Sequence, residues 1–136
     1  MRKSFLLIIV VILLTSCYPS NKVLYGKMID MYSEDENYIS LCGVIIAYSN
    51  NIATIECEEL KSYLSYQGDS CDYYIYSSQN LDLNMGDTIN FVTVPYHFYN
   101  GHKLPIVEVV VNGNTLLSFN EGKTNLINWV NTDFSE

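Results

Sequence analysis

A two-residue turn between two runs of alternating apolar residues is the feature that most constrains the fold of this 136-residue chain. Asn50-Asn51 separates residues 38–48 from residues 52–60, and asparagine accepts the positive φ angles of two-residue hairpin turns. The pattern predicts an antiparallel hairpin in which Ser49 pairs with Ile52. In that register one face forms the predicted core, which contains Cys42, Val44, Ile46, Tyr48, Ala53, Ile55 and Cys57.

A second hairpin is predicted around Asn100-Gly101, the strongest turn signal in the chain. Residues 88–99 and 104–112 are its strands. Pairing Tyr99 with His102 sets Val94 opposite Val107 and Val92 opposite Val109, while Thr93 and Glu108 meet on the other side. Because prolines lack an amide hydrogen, Pro95 and Pro105 require an edge, a strand end or a bulge.

The remaining segments complete a mainly β chain, in keeping with twelve tyrosines and five phenylalanines. Residues 71–76 form the third predicted strand, and residues 77–85 connect it to the second hairpin. Residues 23–31 have mixed periodicity, which predicts either a strand or an irregular segment before the first hairpin. The C-terminal tail from Gly113 is expected to form a short helix around residues 125–130 or to be partly loose.

Three strands, a connector and a two-stranded hairpin form the order of a five-stranded Greek-key barrel. The motifs that carry the likeness are Gly43-Val44-Ile45-Ile46, residues 51–60, residues 73–76 and Met85-Gly86-Asp87-Thr88-Ile89. Over roughly residues 39–112 the chain resembles the OB-fold family, whose members bind oligonucleotides, oligosaccharides or proteins. The short polar connector departs from the family, which usually has a helix there, and this leaves a sandwich or another small barrel as alternatives.

The N-terminus has the three-part layout of a secretory leader: Arg2-Lys3, an apolar run over residues 5–14, and Thr15-Ser16 before Cys17. Ten apolar residues are too few to cross a bilayer, which takes about 20. The residues Leu14-Thr15-Ser16-Cys17 resemble the lipobox of bacterial lipoproteins. That resemblance implies a signal peptide over residues 1–16, lipid on Cys17, a tether over residues 17–22 and one domain over residues 23–136.

The lipoprotein resemblance also implies a location in the cell envelope, with the membrane as one partner through the lipid on Cys17. Tyr18 follows Cys17, where inner-membrane lipoproteins of the enteric type have Asp, which favours the outer membrane. No acidic run follows Cys17, which favours a domain that faces the periplasm.

Charge argues against a nucleic-acid partner. Without its leader the chain keeps five lysines, no arginine and fifteen acidic residues, for a formal charge of −10. Phosphate recognition depends on arginine and clustered lysine, and a field of this sign repels a phosphate backbone. The alternative reading is that the charge serves solubility alone.

Two sets of side chains are candidates for binding. His97 and His102 fall diagonally across the second hairpin and could hold zinc or copper with a third ligand such as Glu108, or be hairpin-tip residues without a ligand role. Tyr74 and Tyr76 point away from Tyr73 and Ile75. Together with Tyr99 they could form an aromatic surface for a protein or a sugar, or pack as ordinary barrel residues.

Cys42, Cys57 and Cys71 remain after the anchor and allow one disulfide with one free thiol, or three reduced thiols. The Asn50-Asn51 register makes Cys42 and Cys57 diagonal neighbours, too far apart for an unstrained disulfide, whereas a turn at Ser49-Asn50 would set them opposite each other.

The sequence contains no catalytic or cofactor motif. We therefore expect a non-catalytic envelope lipoprotein that binds a protein or a glycan through its β surface. The alternative is an acidic inhibitor or immunity protein that blocks a basic toxin or lytic enzyme.

Overall fold

The computed structural model describes residues 21–62, 70–96 and 103–134, which form a mainly β fold with two α-helices. The elements in chain order are α1 (Asn21–Ser33), β1 (Ile39–Ser49), β2 (Ile52–Glu56), β3 (Ser70–Ile75), β4 (Thr88–Thr93), β5 (Leu104–Val111), β6 (Asn114–Leu117) and α2 (Phe119–Phe134). Short 3-10 helices, Asp35–Asn37 and Glu58–Ser62, follow α1 and β2. The predicted β-rich character is confirmed.

The strands form a closed ring. β1 pairs antiparallel with β2 on one side and with β4 on the other. β2 pairs with β3, and β4 pairs with β5, again antiparallel. A short parallel pairing of β3 with β5 closes the ring in the order β1-β2-β3-β5-β4, and β6 extends the sheet from β5.

The first hairpin has the predicted turn, since Asn50 and Asn51 have φ angles of 52° and 65° and Ser49 pairs with Ile52. The predicted faces of β1 are wrong from Ile46 towards the N-terminal end of the strand. A β-bulge at Ile46 shifts the register so that Ile45 pairs with Ile55. One extra residue reverses which side chains face inward. Leu41, Gly43 and Ile45 therefore face the core, whereas Cys42, Val44 and Ile46 are exposed.

The second hairpin also has a different register from the predicted one. Val92 pairs with Glu108 and Phe91 with Val109, and a bulge then brings Thr93 opposite Ile106. Thr93, predicted to face outward, is fully buried. β4 ends at Thr93, short of the predicted strand end at Tyr99.

The interior of the ring is the main hydrophobic core. It contains the buried strand side chains Leu41, Ile45, Ala53, Ile55, Tyr73, Ile75, Ile89, Phe91, Leu104, Ile106, Val109 and Leu117, joined by Cys57, Leu60 and Leu83 from outside the strands. Tyr73 and Phe91 meet edge to face with ring centroids 5.2 Å apart. Gly43 lets β1 approach β2 closely, because a Cβ atom there would lie 2.5 Å from the Ile55 side chain and 2.9 Å from the Glu56 carbonyl oxygen.

A second core lies outside the ring, beneath the helices. α2 packs on β5, and α1 packs on α2. The buried residues of this core are Met28, Tyr32, Tyr76, Val92, Val94, Val107, Leu126 and Val130. α2 confirms the predicted C-terminal helix but is longer than expected. α1 was not predicted: the prediction of a strand or irregular segment over residues 23–31 is wrong.

All three described cysteines are free thiols. Cys42 is exposed on the outer side of β1, and Cys57 is buried in the ring core. The bulge at Ile46 thus puts these two residues on opposite faces, rather than making them same-face diagonal neighbours as predicted.

Neither α1 nor α2 is long and apolar enough to span a bilayer, and the same is true of the 3-10 helices in the described ranges.

Candidate binding face on the β-sheet

The outer side of β1 and β2 is left uncovered by the helices. Strand pairing puts Val44 beside Glu56 and Thr88, and Cys42 beside Asn90. Paired residues point to the same side of a sheet. We call this surface the open face; it comprises Cys42, Val44, Ile46, Ile52, Thr54, Glu56, Asp72, Thr88 and Asn90. Ile52 lies at its border, beside half-buried Tyr74.

Large apolar side chains are exposed on the open face. Val44, Ile46 and Ile52 keep 40%, 39% and 37% of their surface exposed. Met85, 78% exposed, lies in the adjacent turn, whose Gly86 amide donates to the Ile45 carbonyl oxygen at 2.7 Å. Single exposed apolar residues need no explanation, but several on one face suggest an interaction surface.

The bulge at Ile46 explains how these side chains come to be exposed. The chain of β1 reads as a continuous apolar run, and regular pairing from the turn would have turned Val44 and Ile46 inward. The extra residue turns them outward and brings Ile45 inward instead. Bulges are frequent next to functional surfaces because they redirect side chains in this way.

The charged groups of the open face are carboxylates. Asp72 accepts a hydrogen bond of 2.6 Å from the Thr54 hydroxyl, and Glu56 is exposed beside Val44. Glu58 and Glu59, also exposed, follow at the end of β2. No lysine belongs to the open face as defined above. The surface therefore combines an apolar centre with negative charge.

Tyr74 and Tyr76 point away from Tyr73 and Ile75, as the strand alternation predicts, but Tyr76 packs beneath α2. Tyr76 is 7% exposed, and its ring centroid lies 5.6 Å from that of Trp129. The Tyr76 carbonyl oxygen accepts a hydrogen bond from the Asn125 side chain at 3.0 Å. Tyr74 is half-buried and packs on Tyr76 with centroids 4.8 Å apart. These two tyrosines form part of the second core rather than an open aromatic surface.

The other predicted site residues lie outside the described residues: Cys17, His97, Tyr99 and His102. Glu108, the proposed third metal ligand, is half-buried on β5 opposite Val92. Within residues 21–62, 70–96 and 103–134, no three ligating side chains form a cluster that could hold a metal ion.

The described thiols differ in their surroundings. Burial raises the pKa of Cys57, and burial together with nearby Asp72 raises the pKa of Cys71 to about 11. A thiol with a raised pKa is a poor nucleophile at neutral pH. Cys57 and Cys71 are therefore weak nucleophiles at neutral pH, whereas Cys42 is exposed on the open face.

A second surface feature lies on α1. An open depression of about 360 Å³ is lined by Lys27, Asp30, Met31 and Asn37. The Asn37 side chain donates to the Met31 carbonyl oxygen at 2.9 Å, which holds the chain close to the end of α1. The charges that line the depression are exposed rather than buried, so it is a shallow surface feature.

Comparison of the chain with protein-family models, curated proteins and solved structures finds no match in any of the three.

Proposed function

We propose that this protein is a non-catalytic lipoprotein of the bacterial cell envelope whose open face binds a protein partner. The observation that carries the binding proposal is the group of exposed apolar side chains Val44, Ile46 and Ile52 on a sheet face that the helices leave uncovered. An apolar centre with a polar surround is the usual composition of a protein-binding surface. The burial of Tyr76 and the half-burial of Tyr74 against the second core favour a protein over a glycan.

The fold proposed for this domain is an OB-type barrel. The ring order β1-β2-β3-β5-β4 and the parallel contact between β3 and β5 support this assignment. The connector between β3 and β4 lacks the usual helix, and its Leu81 and Leu83 pack against the ring core instead. An OB-type ring does not by itself specify a ligand.

Location at the outer membrane, facing the periplasm, is proposed from the leader and from Leu14-Thr15-Ser16-Cys17. Labelling with radioactive palmitate tests the lipid anchor on which this location depends: the wild-type protein should take up label and partition into detergent, and Cys17→Ser should do neither. Label that persists in Cys17→Ser would overturn the lipoprotein assignment.

The binding proposal is tested with tagged full-length protein in envelope extracts. Wild type should capture a partner that Val44→Lys/Ile46→Lys loses at least tenfold, because a buried unpaired charge at the centre of an interface is costly. Asn128→Lys, an exposed position on α2, is the matched control and should capture normally. Equal capture by all three proteins would show that the open face is not the binding surface.

A narrower function is favoured by the charge of that face. Glu56 and Asp72 with no lysine on the face suit a basic partner, such as a toxin or lytic enzyme that this protein would inhibit. In that case the captured protein should be basic, its capture should weaken with added salt, and wild type should suppress its activity where Val44→Lys/Ile46→Lys does not. A neutral or acidic partner would contradict the inhibitor proposal but not the proposal that the open face binds a protein.

A further inference from the structure

The surface of α1 that faces away from the rest of the molecule has an unusual charge. The exposed side of this helix comprises Lys22, Val23, Gly26, Lys27 and Asp30. These positions recur at intervals of three and four residues and so form one side of a helix. Among the lysines whose side chains the structure describes, the exposed ones are Lys22 and Lys27, both on this side. We call it the outer side of α1.

The other described lysines are less available. Lys123 forms an ion pair with Asp35 at 2.6 Å and donates to the Ser33 carbonyl oxygen at 3.1 Å. Lys103 is half-buried and directly precedes β5. Among the lysines whose side chains are described, the exposed positive charge thus lies on one helix, in a chain with ten more acids than lysines after its leader.

α1 begins shortly after Cys17 in the chain, which relates its exposed lysines to the proposed lipid anchor. Three residues separate Cys17 from Asn21, where α1 begins. Even a fully extended chain over this interval reaches about 14 Å. If Cys17 carries lipid, as the proposed function holds, Asn21 at the start of α1 is confined to within that distance of the membrane surface.

We propose that the outer side of α1 lies against an anionic bilayer surface, with Lys22 and Lys27 at the level of the lipid phosphates. The inference rests on the proposed lipid anchor at Cys17. Val23, 48% exposed between the two lysines, adds apolar area to the contact. Asp30 and the acidic segment Glu34–Glu36 follow at the far end of α1, so the first half of the helix makes the contact.

The same charges orient the whole domain. An anionic surface attracts Lys22 and Lys27 and repels the carboxylates of the open face, Glu56 and Asp72. The bound domain therefore lies with α1 towards the lipid and keeps its carboxylate-bearing face away from it, available to a partner. Each lysine close to an anionic surface is expected to strengthen the contact about fivefold.

The test is lysine footprinting on the full-length lipidated protein, inserted into preformed vesicles and treated with a membrane-impermeant acylating reagent. In vesicles with about 30% anionic lipid, acylation of Lys22 and Lys27 should slow about tenfold relative to neutral vesicles. Acylation of Lys103 should be unchanged. The protection should disappear at about 1 M salt, where the Debye length falls to about 3 Å.

Single variants provide the matched controls. In Lys22→Gln the protection of Lys27 should fall about fivefold, and in Lys27→Gln the protection of Lys22 should fall likewise, whereas Lys103→Gln should leave both protected. Flotation with the vesicles is measured first, because it separates the two proposals. Protein that fails to float overturns the lipid anchor and the contact together. Protein that floats but is acylated at Lys22 and Lys27 equally fast in both vesicle types overturns the α1 contact and leaves the anchor intact.

Discussion

At the scale of single residues, Gly122 determines how closely α2 approaches the ring. A Cβ atom at this position would lie 1.9 Å from the Val107 carbonyl oxygen, far closer than van der Waals contact allows. The clash is with backbone, which cannot rotate away as a side chain could. We expect Gly122→Ala to lower the free energy of unfolding by about 3 kcal/mol, measured by urea denaturation.

Gly26 is the control for Gly122→Ala. It lies on the exposed side of α1, and nothing lies within 4 Å of the position that a Cβ atom would occupy. Gly26→Ala should raise the free energy of unfolding by up to about 1 kcal/mol, because alanine is the better helix former. Equal effects of the two substitutions would contradict the close packing of α2 on β5.

The three described thiols should react at very different rates. The pKa of Cys71, raised to about 11, leaves about 1% of it as thiolate at pH 9, and the thiolate fraction then rises about tenfold per pH unit towards pH 11. Iodoacetamide at pH 8 should therefore modify exposed Cys42 first and Cys57 and Cys71 slowly. Peptide mass spectrometry over time measures this order. Rapid modification of Cys57 would contradict its burial in the ring core.

At the scale of elements, the sequence was enough to locate most strands but not their faces. The Asn50-Asn51 turn, β3 and the start of β5 follow from turn residues and β-branched or aromatic runs. The bulges at Ile46 and Val107 leave no comparable signal, because apolar residues occupy both faces of β1 and β5. Alternation cannot locate an extra residue in a run where both sides are apolar.

α1 was missed for a different reason, and this also bears on the candidate site. Its buried residues Leu24, Met28 and Tyr32 follow a helical interval of four, but Gly26 and the further apolar residues between them obscure that period. The prediction for Tyr74 and Tyr76 was incomplete for a related reason: strand alternation gave the direction of both side chains but not the helix that packs on Tyr76. The open face depends on the Ile46 bulge and could not be read from the sequence.

The helices are expected to contribute strongly to stability through the second core. Leu126 is fully buried in α2, so Leu126→Ala should lower the free energy of unfolding by about 3 kcal/mol. Thr124, exposed on the same helix, is the control. Thr124→Ala should change the free energy of unfolding by less than about 0.5 kcal/mol. Urea midpoints give both values. A small effect of Leu126→Ala would mean that α2 is loosely attached.

At the scale of the whole molecule, the two cores share a strand. β5 contributes Ile106 and Val109 to the ring core and Val107 to the core beneath the helices. Alternate residues of one strand thus stabilise both layers, and loss of either layer exposes one side of β5. This arrangement favours unfolding of the ring and the helices as one cooperative unit.

One residue of each layer reports on that cooperativity. Trp129, the single tryptophan of the chain, lies in α2, and the thiol of Cys57 is buried in the ring. Trp129 fluorescence and Cys57 alkylation should therefore change at the same urea concentration, because exposing Val107 by release of α2 also destabilises the pairing of β5 with β4. A Trp129 transition at clearly lower urea than exposure of Cys57 would show instead that the helices detach from a ring that remains folded.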